Sequence, residues 1–312
     1  RTQVRPGNNI DRILIAVVHF WDPEGSGHHG SLRPNPRPRI EAFQQQLLGL
    51  MRLSQRQAQL TMETLTADPA NKLFQHQIDI KVITDGEHHV LDQLDPPFRG
   101  LFQMVVVKPE GPKHLGFEAQ KFLASRIDEA YDLYAYFEDD LIILDPGFFR
   151  KIDWFRGQAG DDCVLLPHRI EFSSVPNVVD RFFIDGPIAE EELSRVIPDP
   201  SPAICSPYPG GTVYFESPRN PHSGCFILSG KQLRYWTQQV WWQDGDCSLI
   251  SPLESSASLG IAKTFRVFKP AMANASWLEL QHWGTNFHCL IGNKVALPSQ
   301  HSEAITESQE PK

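Results

Sequence analysis

Apolar positions repeat along this chain with two periods. Arg12-Ile13-Leu14-Ile15-Ala16-Val17-Val18-His19-Phe20 is a continuous apolar run of strand length, the pattern of a strand buried on both faces of a parallel sheet. A loop rich in Gly, Pro, His and Arg, from Glu24 to Arg37, follows it. From Arg39 the apolar residues Ile40, Phe43, Leu47, Leu50 and Met51 fall at helical spacing, predicting an amphipathic crossover helix to about Gln59. Ile78 to Gly86 alternates and stops at Asp85-Gly86, a second strand closed by a turn. Leu101 to Val107 reads as a third strand. Ala119, Phe122, Leu123, Ile127 and Ala130 mark the helix leading to Leu133-Tyr134-Ala135-Tyr136-Phe137-Glu138-Asp139-Asp140-Leu141-Ile142-Ile143-Leu144. The order β-α-β-β-α-β predicts a mostly parallel, mixed α/β sheet flanked by helices.

Three consecutive carboxylates, Glu138, Asp139 and Asp140, interrupt that last apolar run. Burying them without partners is prohibitive, so a cluster at the end of a buried strand calls for a divalent cation or several donors. The plain alternative is a solvated turn or an acidic helix start. Asp145-Pro146, leading into Phe148, Phe149, Ile152 and Phe155, is the better helix start. In open α/β sheets ligands sit beyond the carboxyl ends of the strands. That rule groups Val18, His19 and Phe20 with Asp85 and with the acidic triplet. Asp85 suits a base or ribose contact and a turn equally well.

Val164 to Ile170 reads as a further strand. Ser173 to Pro209 is rich in proline and acidic residues and reads as an excursion covering the site, with a short helix at Ala189 to Val196. His222 to Gly230 places Ser223 and Gly224 before a short strand, where the backbone can approach a ligand closely. Lys231 to Trp242 is helical in pattern. Ser251, with Glu254 three residues on, has the form of a capping box. Trp277 to His288 brings His282 and His288 near Trp283 and Gly284, and the polar tail 299–312 is expected to fray.

The chain has 312 residues, 41% of them hydrophobic, and a net charge of −9. That balance disfavours nucleic acid as a partner, since polyanions are bound by an excess of Lys and Arg. Five widely spaced cysteines without a C-x-x-C pair suggest neither a zinc site nor a complete disulfide set, which favours a reducing, cytoplasmic compartment. No apolar run reaches membrane-spanning length. The chain opens on Arg1 rather than methionine, so a Golgi-lumenal protein with its membrane anchor removed is the alternative. The triplet Asn274-Ala275-Ser276 is a glycosylation sequon that matters only in a secreted protein.

In this order the motifs resemble those of the GT-A class of nucleotide-sugar-dependent glycosyltransferases, over most of Arg12 to His288. The matching residues are Glu138-Asp139-Asp140 for the Asp-x-Asp motif, then Ser223-Gly224, Glu254, and His288 or His282. The resemblance implies a GT-A-like fold with a Rossmann-like nucleotide-sugar-binding half, 12–150, after a polar leader, 1–11. An acceptor-binding half of the same domain, 151–298, follows.

It implies a sugar transfer, with inversion, from a UDP- or GDP-sugar to a hydroxyl of a carbohydrate or glycoconjugate acceptor. Asp140, with Glu138 and His288, is expected to hold Mn²⁺ or Mg²⁺. Val18, His19, Phe20, Asp85, Glu138, Asp139, Ser223 and Gly224 are expected to line the donor, and Glu254 to act as general base. His288 is preferred for the cation because His282 can equally be a packed neighbour of Trp283.

Two departures stand out. The motif opens with Glu rather than Asp, and Glu254 is one acid where inverting members usually have Glu-Asp, so Asp244 and Asp246 are kept as spares. Lys108, Lys113, His114 and Arg169 are further candidates for phosphate or acceptor contacts. A nucleotidyltransferase using Arg33, Arg37 and Arg39 after the first strand, and a non-catalytic carbohydrate- or Ca²⁺-binding protein, are the competing readings.

Overall fold

The computed structural model describes residues 11–25, 32–54, 56–72, 75–172, 179–291 and 294–296. The leader, most of the Gly25–Gly30 loop and the tail lie outside the described residues.

The continuous apolar run forms β1 (Asp11–Val18) at the centre of a five-stranded sheet. Helix α1 (Arg37–Leu53) follows, then a hairpin of β2 (Ala58–Thr61) and β3 (Thr66–Pro69), β4 (His76–Thr84), the one-turn α2 (Pro96–Arg99) and β5 (Gln103–Val106). Next come α3 (Leu115–Ser125), β6 (Leu133–Glu138), β7 (Leu141–Ile142) and α4 (Phe148–Ala159). Parallel pairing joins β1 to β4 and β6, and β4 to β5.

The second half continues with β8 (Cys163–Leu165), β9 (His168–Phe172), β10 (Arg181–Phe183), α5 (Glu190–Val196), β11 (Ile204–Tyr208) and β12 (Gly211–Glu216). It closes with β13 (Cys225–Ser229), α6 (Gly230–Thr237), α7 (Pro252–Thr264), β14 (Arg266–Pro270) and β15 (Glu279–His282). Strand β13 returns to the central sheet, antiparallel against β6. The two halves therefore share one sheet, in the order β13-β6-β1-β4-β5. Two further four-stranded sheets, β10-β9-β15-β7 and β11-β12-β14-β8, are built mainly from the second half, with β7 of the first half at the edge of one.

Alternation along the central strands divides the core into two layers. Ile13, Ile15, Val17, Ala135 and Phe137 pack with Phe43 and Leu47 of α1 and Phe148 and Phe149 of α4. On the opposite face Leu14, Ala16, Tyr134 and Tyr136 meet Leu115 and Ala119 of α3, Trp236 of α6 and Ile261 of α7. A sheet covered by helices on both faces can use apolar residues at every strand position, so β1 and β6 show no polar side.

Several boundaries differ from those expected. The first helix ends at Leu53, and Gln59 lies in the β2–β3 hairpin, which is exposed along nearly its whole length. The apolar run from Val164 to Ile170 is two strands in different sheets, divided at Pro167. Asp145 does not cap α4. Gly147 does so without a side-chain bond, while Asp145 Oδ1 accepts from the Gly147 N–H (2.7 Å) in a tight turn. The complete capping box belongs to Ser229 and Gln232 at the start of α6. Ser251 caps α7 as expected, accepting from the Glu254 N–H at 3.4 Å.

Candidate functional site

Parallel pairing aligns Val18 with Ile83 and with Glu138, so the carboxyl ends of β1, β4 and β6 open on one rim. The acidic triplet lies there, and its three carboxylates have three different environments.

Asp139 is consumed internally. The Val90 N–H donates to His19 Nε2 (3.1 Å), which fixes the tautomer, and His19 Nδ1 donates to Asp139 Oδ2 (2.6 Å). Arg39, from the first turn of α1, donates to Asp139 Oδ1. Burial works against the charge, but Arg39 and His19 outweigh it and hold the Asp139 carboxyl below its usual range. Asp139 and His19 thus brace the rim, with both Asp139 oxygens and both His19 nitrogens engaged within the protein.

Glu138 is buried at the end of β6. Burial raises its carboxyl to about 8 against the pull of Arg169, and the charges of Asp140 and Glu254 push the same way. Its Oε2 is 3.7 Å from Arg169 and its Oε1 3.9 Å from His222 Nε2. Gly224 is needed beside it. With φ of +64° the residue is left-handed, and a Cβ there would lie 2.8 Å from Glu138 Oε2 and from Leu141 Cδ1.

Asp140 is half-buried at the rim. Its Oδ1 is buried without a hydrogen-bond partner, and its Oδ2 is 3.4 Å from Arg39 and 3.7 Å from His282 Nε2. Antiparallel pairing of β15 with β7 sets His282 opposite Leu141, and the Trp283 N–H donates to the Asp140 carbonyl (2.8 Å). Burial opposes a proton on His282, but Asp140 and then the hydrogen bond to Glu171 prevail and raise its pKa.

A layer of buried charge underlies the rim. Arg169 on β9 grips Asp185 through Nη2 (2.7 Å) and Nε (3.1 Å), and Lys269 on β14 is 3.5 Å from the same carboxylate. Lys269 also donates to the His222 carbonyl. Burial, reinforced by Arg169, holds His222 well below its usual pKa.

The other expected residues divide clearly. Glu254, in the first turn of α7, is brought close enough for its charge to act on Glu138. Ser256 fixes that turn on β6 by its hydroxyl contact with Tyr136 (3.1 Å). Val18 is core, and Phe20 lies against the His88 ring at 5.2 Å. Asp85 belongs to its own turn, accepting from the N–H groups of Glu87 and His88 and from His88 Nδ1, as the turn reading expects. The Ser223 hydroxyl is spent on the Pro167 carbonyl (2.7 Å). Asp244 and Asp246 clamp Lys263 at 2.7 and 3.0 Å and make no contact with the triplet.

His288 is corrected as well. Its Nε2 donates to the Val179 carbonyl (2.6 Å), and the imidazole beside Asp140 is that of His282. Arg39, one of three arginines in the nucleotidyltransferase reading, is taken up by Asp139 and Asp140. Trp236 and Trp277 are packed into aromatic clusters, whereas half-buried Trp283 follows His282 directly.

Among the described residues no three His, Cys, Asp or Glu side chains gather tightly enough to hold an ion alone. Asp140 with its unpartnered oxygen, and His282, instead fit a cation that completes its shell with phosphate oxygens. Mg²⁺ is commonly bound that way, through one or two carboxylates plus the substrate. They do not fit an all-protein Ca²⁺ cage. Glu138, its carboxyl raised by burial and turned to Arg169 and His222, is the weaker partner for such an ion.

No family model and no curated protein sequence matches this chain. Among solved structures it is similar to mannose-1-phosphate geranyltransferase from Thermus thermophilus, at 11% identity and a TM-score of 0.38. The likeness covers 84% of this chain and 74% of that one. It is too loose to carry an argument about the site. No described helix is long and apolar enough to cross a membrane.

Proposed function

We propose that this chain is a GT-A-like glycosyltransferase that moves a sugar from a nucleotide-diphosphate sugar to an acceptor hydroxyl. The observation that carries the reading is the buried, unpartnered Oδ1 of Asp140 at the rim of a parallel sheet, with His282 Nε2 3.7 Å from its other oxygen. Asp140 and His282 would hold Mn²⁺ or Mg²⁺, the imidazole favouring Mn²⁺. Such an ion, when bound, supplies Lewis-acid stabilisation of a departing diphosphate.

The remaining chemistry belongs to the chain. Asp139, held by His19 and Arg39, fixes the turn that presents Asp140. Glu138, whose carboxyl burial raises to about 8, lines the rim between Arg169 and His222. Glu254 takes the acceptor proton as general base, which gives inversion at the anomeric carbon.

Incubation with Mn²⁺, a panel of UDP-, GDP- and TDP-sugars and simple acceptors tests this directly. Sugar-dependent release of nucleoside diphosphate, lost in Asp140→Asn, is the expected result. Pyrophosphate formed from a nucleoside triphosphate and a sugar phosphate would establish nucleotidyl transfer instead. Nucleoside diphosphate affinity in Mn²⁺ that is the same in Asp140→Asn would remove the basis of the assignment.

A further inference from the structure

Glu171 lies on β9 with no solvent exposure at all, although nothing in its position along the chain marks it as functional. A carboxylate so placed must be matched by donors. Oε1 accepts from His282 Nδ1 (3.0 Å), while Oε2 accepts from the backbone N–H groups of Phe287 (2.9 Å) and His288 (2.7 Å). One side chain therefore holds both the imidazole at the end of β15 and the segment beyond it. The parallel register of β9 and β15, Gln281 beside Ile170, puts Glu171 and His282 side by side at the next step. His288, which donates to the Val179 carbonyl, secures the far end of the same segment.

We propose that Glu171 is the positioning residue of the cation site: it fixes the His282 tautomer and aims its Nε2 at the ion shared with Asp140. This rests on the cation-dependent reading above. A carboxylate can only accept, so Nδ1 must carry the hydrogen, and in the neutral ring the lone pair is left on Nε2, the nitrogen nearest Asp140. A carboxylate behind an imidazole both orients the ring and makes it a better ligand. A glutamine at 171 keeps the length and can accept from the two backbone N–H groups. It then offers its NH₂ to the ring and favours the opposite tautomer, with the hydrogen on Nε2.

The test pairs a spectroscopic readout with a binding one. Nitrogen-15 NMR of histidine-labelled protein at a pH where His282 is neutral should show the hydrogen on Nδ1 in the wild type and on Nε2 in Glu171→Gln. In parallel, Mn²⁺ affinity in the presence of UDP, followed by electron paramagnetic resonance, should fall about 10- to 100-fold in Glu171→Gln, the usual cost of losing such a partner. Asp140→Asn serves as the reference. Wild-type His282 with its hydrogen on Nε2 overturns the proposal without need of any variant. Mn²⁺ affinity lost in Asp140→Asn but kept in folded Glu171→Gln overturns it while leaving the cation site standing. Affinity unchanged in both overturns the cation reading itself, and the role of Glu171 with it.

Discussion

Replacing Asp185 with asparagine strips Arg169 of its two-pronged partner while preserving shape. The Asp185 side chain is 2% exposed and that of Arg169 9%, so water cannot substitute for the lost charge. Arg169 would keep Glu138 at 3.7 Å, but burial raises the Glu138 carboxyl to about 8, so it compensates poorly for the lost Asp185 charge. Lys269, 3.5 Å from Asp185, would lose its counter-charge too. Removing one member of a buried pair typically costs about 3–5 kcal/mol, a large part of the roughly 5–15 kcal/mol by which folded proteins are stable.

The pH dependence follows from the sign of the shift. Burial works to raise the Asp185 carboxyl, but Arg169 and Lys269 outweigh it and press it below its ordinary value of 3.8. Its contribution is therefore fully present above that value and disappears as the pH falls through the lower, folded one. Urea unfolding of wild type and Asp185→Asn between pH 7 and pH 3 should show the full gap near neutrality and a narrowing gap below about pH 4. A loss under about 1 kcal/mol at pH 7, or a gap that widens on acidification, would refute the description of this layer as a buried ion pair. The double change Arg169→Met with Asp185→Leu should be far milder than Asp185→Asn alone, since it buries no unmatched charge.

Three more expectations concern nearby residues. Gly224→Ala should cost about 1–2 kcal/mol for the left-handed backbone and about 1–3 kcal/mol for crowding against Glu138 and Leu141, read by chemical denaturation. Glu138, raised by burial to about 8, should in the presence of EDTA make the wild type less stable as pH rises from about 4.5 to 8. Glu138→Gln should remove that slope. Asn274 bonds both the N–H and the carbonyl of Tyr214, at 2.9 and 3.1 Å. Asn274→Ala should therefore cost about 1–3 kcal/mol in the same assay, as expected for an asparagine that completes a backbone ladder.

What could be read from the sequence follows the physics of each element. β1 and β6 were visible because strands covered on both faces have no polar side. The β2–β3 hairpin was invisible because it is exposed along nearly its whole length and so has no apolar alternation, while Ser54 to Gln59 contains no breaker to stop the helical pattern. Pro167 is the signal of the break within Val164 to Ile170, since proline removes a ladder donor and here divides β8 from β9.

Within the site, the acidic triplet was legible from carboxylates in an apolar run, while for Glu254 the sequence itself marked only a helix cap, which Ser251 forms. The signal for His282 over His288 is alternation: Leu278, Leu280 and His282 share the buried face of their segment. Glu171, between Ile170 and Phe172, carried the same carboxylate-in-apolar-run signal as the triplet, in weaker form. Asp185 carried none, because its partners Arg169 and Lys269 are 16 and 84 residues away.

The return of β13 to the far side of β6 governs how this molecule can come into being. Until residues 225–229 have been made, β6 has one neighbour, and its other flank offers bare N–H and C=O groups beside Tyr134 and Phe137. A fragment cut near residue 150 would carry that sticky flank permanently, inviting strand addition by other copies. Closing so distant a pairing makes assembly slow, and it gives nascent chains a window in which a chaperone has something to hold.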